Sequence, residues 1–146
     1  MTPTDRYSLA PLNGEEERSA LLRDGRAVAR VHGTVLESQF AEKEASIVLA
    51  SAGVPYEEAI FVSLLVEDRV LDAYEIGAPY TPGVLRDANG LNGTVTFVFA
   101  GARFTVRRLS SGRMAWLGQP RAVKRLQPFW KPAYLSIERN GTGETP

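Results

Sequence analysis

Between Asp87 and Glu138 the chain carries eight arginine or lysine side chains and not one carboxylate. Residues 1–100 hold eight basic and fifteen acidic side chains, whereas residues 101–139 hold nine basic and one acidic. A chain of zero formal net charge is therefore divided into two poles, and a basic pole of this kind raises the expectation of a polyanionic partner. Aromatic rings lie among the cations: Phe129 and Trp130 are adjacent, Lys131 follows them, and Arg121, Lys124 and Arg125 precede them. Cations neutralise phosphate and exposed rings stack on bases, which is the chemistry of single-stranded nucleic-acid binding. Arg103, Arg107 and Arg113 extend the same pole upstream, so the candidate contact set is Arg103, Arg107, Arg113, Arg121, Lys124, Arg125, Phe129, Trp130 and Lys131. Trp116 and Tyr134 are further stacking candidates.

Other chemistries find less support. His32 is the only histidine, and a general base needs a carboxylate to orient it and a nucleophile to act on; Glu37 falls on the opposite face by parity. The chain has no cysteine, which removes disulfides, thiolate chemistry and cysteine-ligated zinc. Glu67, Asp68, Asp72 and Glu75 match no calcium-loop spacing and read as a solvated acidic turn. No phosphate-binding glycine loop and no G-x-S-x-G elbow occurs. The expectation is a non-catalytic domain with no catalytic residue, no cofactor and no bound metal.

The elements that must position the basic pole are read from periodicity. Residues 1–14 predict an extended arm, 15–140 a single globular domain, and 141–146 a disordered tail. Glu15-Glu16-Glu17 before Leu21-Leu22, with Gly25 as a stop, predicts a short helix, and Arg26 to Leu36 alternates as a half-buried strand. Apolar residues from Leu36 to Ala52 recur at helical spacing and predict a helix over 38–51. The β-branched run predicts a strand over 59–66, with Glu67-Asp68-Arg69 as a turn returning through Val70, Asp72 and Tyr74. Gly77 to Asn92 is dense in Pro, Gly, Asn and Asp and predicts a loop.

The clearest hairpin is Thr94–Phe99 with Ala102–Leu109. A two-residue loop at Ala100-Gly101 pairs Phe97 with Phe104, Thr96 with Thr105, Val95 with Val106 and Thr94 with Arg107, placing apolar side chains together on one face. Short strands follow at Met114–Leu117 and Ala133–Arg139, and Pro128 and Pro132 confine the intervening stretch to a loop or a sheet edge.

The fold class expected is α+β: one domain dominated by a curved antiparallel sheet, barrel-like or sandwich, with one to three short helices in the N-terminal half. The function expected is polyanion binding, with single-stranded nucleic acid as the ligand. Two other classes fit the composition. One is a homo-oligomeric structural protein in which the basic half meets an acidic partner surface or the acidic half of another copy. The other is a small-molecule barrel or barrel-like enzyme with Tyr56, Tyr74, Tyr80, Glu75 and His32 around its pocket. The first residues lack a signal-peptide pattern and no apolar run is long enough for a membrane span, so a cytoplasmic location without a membrane partner is the expectation.

Overall fold

Among the described residues, five two-residue hairpin loops set the course of the backbone: Asp24-Gly25, Lys43-Glu44, Glu67-Asp68, Asn92-Gly93 and Ala100-Gly101. Asp24, Lys43, Glu67, Asp68 and Ala100 all take positive φ there, the backbone twist that lets a tight hairpin match the twist of its strands. The computed structural model describes residues 1–14, 18–52, 57–79, 84–114 and 119–142, with residues 57, 58, 78, 79, 141 and 142 described for their backbone alone. Among these described residues are thirteen strands: β1 (Thr2–Pro3), β2 (Ser8–Pro11), β3 (Arg18–Arg23), β4 (Arg26–His32), β5 (Val35–Glu42), β6 (Ala45–Ser51), β7 (Glu57–Val66), β8 (Arg69–Pro79), β9 (Arg86–Leu91), β10 (Thr94–Phe99), β11 (Ala102–Arg113), β12 (Val123–Arg125) and β13 (Ala133–Thr142).

They form three antiparallel sheets, ordered β1-β5-β6-β7-β8-β12, β13-β11-β10-β9 and β2-β3-β4. The main core lies between the first two. Phe40, Ile47, Leu49, Ile60, Val62, Leu64, Tyr74 and Ile76 of the six-stranded sheet meet Val95, Phe97, Phe104, Val106, Leu135 and Ile137 of the four-stranded one. On its other face the six-stranded sheet offers Val48 and Leu65 to Tyr7, Leu21 and Val31. The layers are therefore three, with the six-stranded sheet in the middle.

This layering corrects the expected fold class. Among the described residues there is no helix, so the chain is all-β rather than α+β. The 38–51 segment folds as β5 and β6. Every residue of β6 except Ser51 is buried, because alternate side chains enter different cores, and a strand buried on both faces shows no period of two. The proposed N-terminal helix is replaced by β3, with 15–17 outside the described residues. The 77–92 loop is replaced in part by the end of β8 and by β9, whose polar sequence RDANGL runs along a sheet edge. The strand read over 26–36 divides at Gly33, where the chain passes from the three-stranded sheet into the six-stranded one. Met114 lies beyond the end of β11, and 115–118 fall outside the described residues. The hairpin of β10 and β11 has the register its alternation dictates, from Thr94 opposite Arg107 to Phe97 opposite Phe104.

Polar pins fasten the three-stranded sheet. The Tyr7 hydroxyl donates to Asp68 Oδ1 at 2.6 Å and Arg23 Nη1 donates to the same oxygen at 2.9 Å. His32 stacks on Phe61 with ring centroids 5.8 Å apart, and Arg18 stands 3.5 Å from its Nε2. The Tyr7 hydrogen bond, aided by Arg23, holds the Asp68 carboxyl below the usual carboxylate range. Burial, then the Arg18 charge, holds the His32 imidazole below its ordinary value. Both shifts act in one direction, since protons bind the unfolded chain more readily. The His32 contribution is complete above about pH 6.5 and fades as pH falls toward its folded value; the Asp68 contribution is present above about pH 4 and is lost below it. Urea midpoints should thus fall in two steps on acidification, with His32→Gln flattening the upper step and Asp68→Asn the lower. A midpoint unchanged between pH 7.5 and 3.5 contradicts this assignment.

Candidate functional site

Asp72 is the one fully buried carboxylate among the described residues, and both of its oxygens are occupied by donors. Its Oδ1 accepts from the Ala73 amide at 3.0 Å and from Arg125 Nε at 3.1 Å, and its Oδ2 accepts from the Tyr134 and Leu135 amides at 2.8 and 3.1 Å. A buried charge is tolerated when it is paired and its lone pairs are filled. The carboxylate also ties β8 to the start of β13, joining the middle sheet to the four-stranded one. Tyr74 reinforces the junction by donating its hydroxyl to the Leu135 carbonyl at 3.2 Å; burial, then the Asp72 charge, pushes this phenol up to about 12.

Arg125 extends the network outward. Its side chain is only 7% exposed, and while Nε faces Asp72, Nη1 donates to the Pro128 and Lys131 carbonyls at 3.1 and 2.8 Å and Nη2 to the Pro132 carbonyl at 2.9 Å. Three carbonyls of one short loop are thus fixed by one planar donor group. The loop closes on itself through the Lys131 amide, which donates to the Pro128 carbonyl at 3.0 Å.

The rings carried by that loop face solvent. Phe129 is 80% exposed and Trp130 69%, and Met114 nearby is 65% exposed. Together with Gly112, Arg113, Lys131 and Pro132 they line an apolar cleft of about 740 Å³. Lys131 Nζ lies over one face of Trp130, 5.7 Å from the ring centroid, a cation–π contact. Between Arg108 and Arg113 the pairing of β11 with β13 slips, five residues of β11 spanning two of β13, and such bulges re-aim a strand. Gly112 is needed at this bend, because a Cβ there would stand 2.6 Å from Pro132 Cβ and 3.1 Å from the Tyr134 ring.

The nine contact residues expected from sequence divide accordingly. Arg113, Phe129, Trp130 and Lys131 come together at the cleft, with Arg125 beneath them as the clamp of the loop. Arg121 is exposed in the turn before β12, and Lys124 is exposed on β12 opposite Glu75. Arg103 and Arg107 sit on the outer face of β11 away from the cleft, with Arg107 beside Leu91 and the hydroxyls of Thr94, Thr96 and Thr105 in a shallow groove of about 720 Å³. Trp116 and the pocket residues Tyr56 and Tyr80 lie outside the described residues, and Tyr134 is half-buried against the main core. Of the four carboxylates read as a solvated turn, Asp68 and Asp72 are bound as described, and among the described residues no three metal-ligating side chains gather. Among the described residues His32 stacks on Phe61 and stands beside Arg18, neither of which is an orienting carboxylate or a nucleophile.

Sequence reasoning missed Met114 as a third apolar member of the cleft and Asp72 as its anchor. Asp72 lies two residues before Tyr74 on β8 and so falls on the face that the tyrosine shares with the core. Among the described residues no helix is long and apolar enough to cross a membrane. No protein-family model, curated protein or solved structure matches the chain.

Proposed function

We propose that this chain is a non-catalytic binding domain for single-stranded nucleic acid and that the Phe129–Trp130 loop is its point of contact. The observation that carries the reading is the combination of two adjacent, solvent-facing rings with a buried arginine that fixes the loop beneath them. Contiguous exposed apolar surface marks an interaction site, and rigid aromatics bind with little loss of conformational entropy. Arg113 and Lys131 at the cleft supply the charge a phosphate backbone needs. The four-stranded sheet behind it favours the same ligand class, carrying Arg86, Arg103, Arg107, Arg108, Arg113 and Arg139 against only Asp87 and Glu138.

Base stacking on an aromatic ring contributes about 1–3 kcal/mol per base. Trp130→Ala should therefore weaken binding of a mixed-sequence oligonucleotide about tenfold while its salt dependence stays as in the wild type, since no cation is removed. Tryptophan emission should be quenched on binding in Trp116→Phe protein and much less so in Trp130→Phe. Folded Trp130→Ala protein that binds as well as wild type refutes the reading. Wild-type protein that ignores oligonucleotide at low salt, yet forms an oligomer that Trp130→Ala dissociates, replaces it with self-association through the same cleft.

A further inference from the structure

Resting on the nucleic-acid reading, we propose that Arg125 is a positioning residue and not a phosphate ligand: held by Asp72, it presents the Phe129 and Trp130 rings in one geometry, and phosphate is met by Arg113 and Lys131. A guanidinium has five N–H donors, and the strong mode of phosphate recognition uses two of them as a parallel fork. Four of the five in Arg125 are already engaged, one by Asp72 and three by the carbonyls of Pro128, Lys131 and Pro132. A single N–H remains, and a fork cannot be made from it. The side chain is also nearly buried, so a phosphate would have to displace the loop to reach it, and that loop carries the rings.

The consequence for charge is specific. The cations free to meet phosphate at the cleft are the exposed Arg113 and Lys131, each adding to the salt slope, while Arg125 adds nothing. Lysine at position 125 would keep the positive charge but lose the planar array that spans three carbonyls. A phosphate ligand tolerates that exchange far better than a clamp does.

The test compares wild type, Arg125→Lys, Gly112→Ala and Lys131→Gln, all in Trp116→Phe protein so that Trp130 gives the only indole resonance. Two quantities are read: the Trp130 indole ¹H–¹⁵N signal without ligand, and oligonucleotide affinity as a function of salt by fluorescence anisotropy. Arg125→Lys should shift or broaden the indole signal of the free protein and weaken binding about tenfold, with an unchanged salt slope. Gly112→Ala, which adds a methyl group against Pro132 and alters no charge, should do the same, so the outcome does not depend on the buried ion pair surviving mutation. Lys131→Gln should lower the slope by about 0.7 log units per log unit of salt, as expected for one phosphate contact.

Arg125→Lys protein with wild-type affinity overturns the proposal. An unperturbed indole signal in both Arg125→Lys and Gly112→Ala overturns it as well. If wild-type protein binds no oligonucleotide, the nucleic-acid reading fails and takes the phosphate assignment with it, while the indole comparison still decides whether Arg125 sets the loop.

Discussion

Asp72→Ala lowers the unfolding free energy by about 3–5 kcal/mol, the range expected when one partner of a buried ion pair is removed. The loss strands a guanidinium that is 7% exposed and leaves the Tyr134 and Leu135 amides without their acceptor. Against a total stability of roughly 5–15 kcal/mol for a domain of this kind, a change of that size brings a large unfolded fraction within reach. Glu75→Ala, three residues along the same strand but half-exposed, is the control and should cost less than about 1 kcal/mol. Urea unfolding of the two variants decides the matter, and equal midpoints would show that the Asp72 network contributes nothing beyond surface charge.

Phe104→Ala should cost about 3–5 kcal/mol, as truncation of a buried aromatic does. Its ring is 2% exposed and stacks on Phe97 with centroids 5.7 Å apart, so the cavity opens between the two sheets where little can collapse into it. The neighbouring Thr105 points the other way and donates its hydroxyl to Asn140 at 2.7 Å on the outer face. Thr105→Ala should cost less than about 1 kcal/mol, since an exposed hydrogen bond exchanges readily with water. Similar, small costs at both positions would mean that the strand does not present these faces.

The β10–β11 hairpin was legible because Val95, Phe97, Phe104 and Val106 are buried on one face while Thr94, Thr96, Thr105 and Arg107 stay partly or fully exposed on the other, and alternation then encodes both register and burial. The middle sheet withheld that signal. In β6 neighbouring residues such as Ile47 and Val48 enter separate cores, so the 38–51 stretch is apolar without a period of two and Ala-rich enough to suggest a helix, whereas 59–66, where Leu64 and Leu65 divide in the same way, was still legible as a strand from its β-branched residues. The Lys43-Glu44 turn was hidden for a related reason, because neither residue is a customary turn former.

The candidate site was readable as residue types and not as roles. Phe129, Trp130 and Lys131 announced themselves by adjacency. Arg125 was read as one more surface cation because its partner lies 53 residues away, a separation that no local pattern spans. Asp72 was obscured by a slip in the pairing of β7 with β8: Leu65 pairs with Val70 and Leu64 with Asp72, which leaves Leu71 out of step. The apparent alternation of Val70, Asp72 and Tyr74 therefore crosses a bulge, and Val70 belongs to the second core while Tyr74 belongs to the first.

The three-layer arrangement also bears on how the chain behaves when it is only partly assembled. The stretches Ala45–Ser51 and 59–66 are uncharged, proline-free and rich in β-formers, the composition that adds strands to strands between molecules. Inside the finished fold each is paired along both edges and roofed on both faces. The roof on one side is the small sheet β2-β3-β4, which precedes both stretches in the chain; that on the other is completed by β13, which follows them. A nascent or acid-loosened chain that has lost either cover therefore shows its stickiest surface at its centre, and the order in which the sheets close governs whether it folds or aggregates.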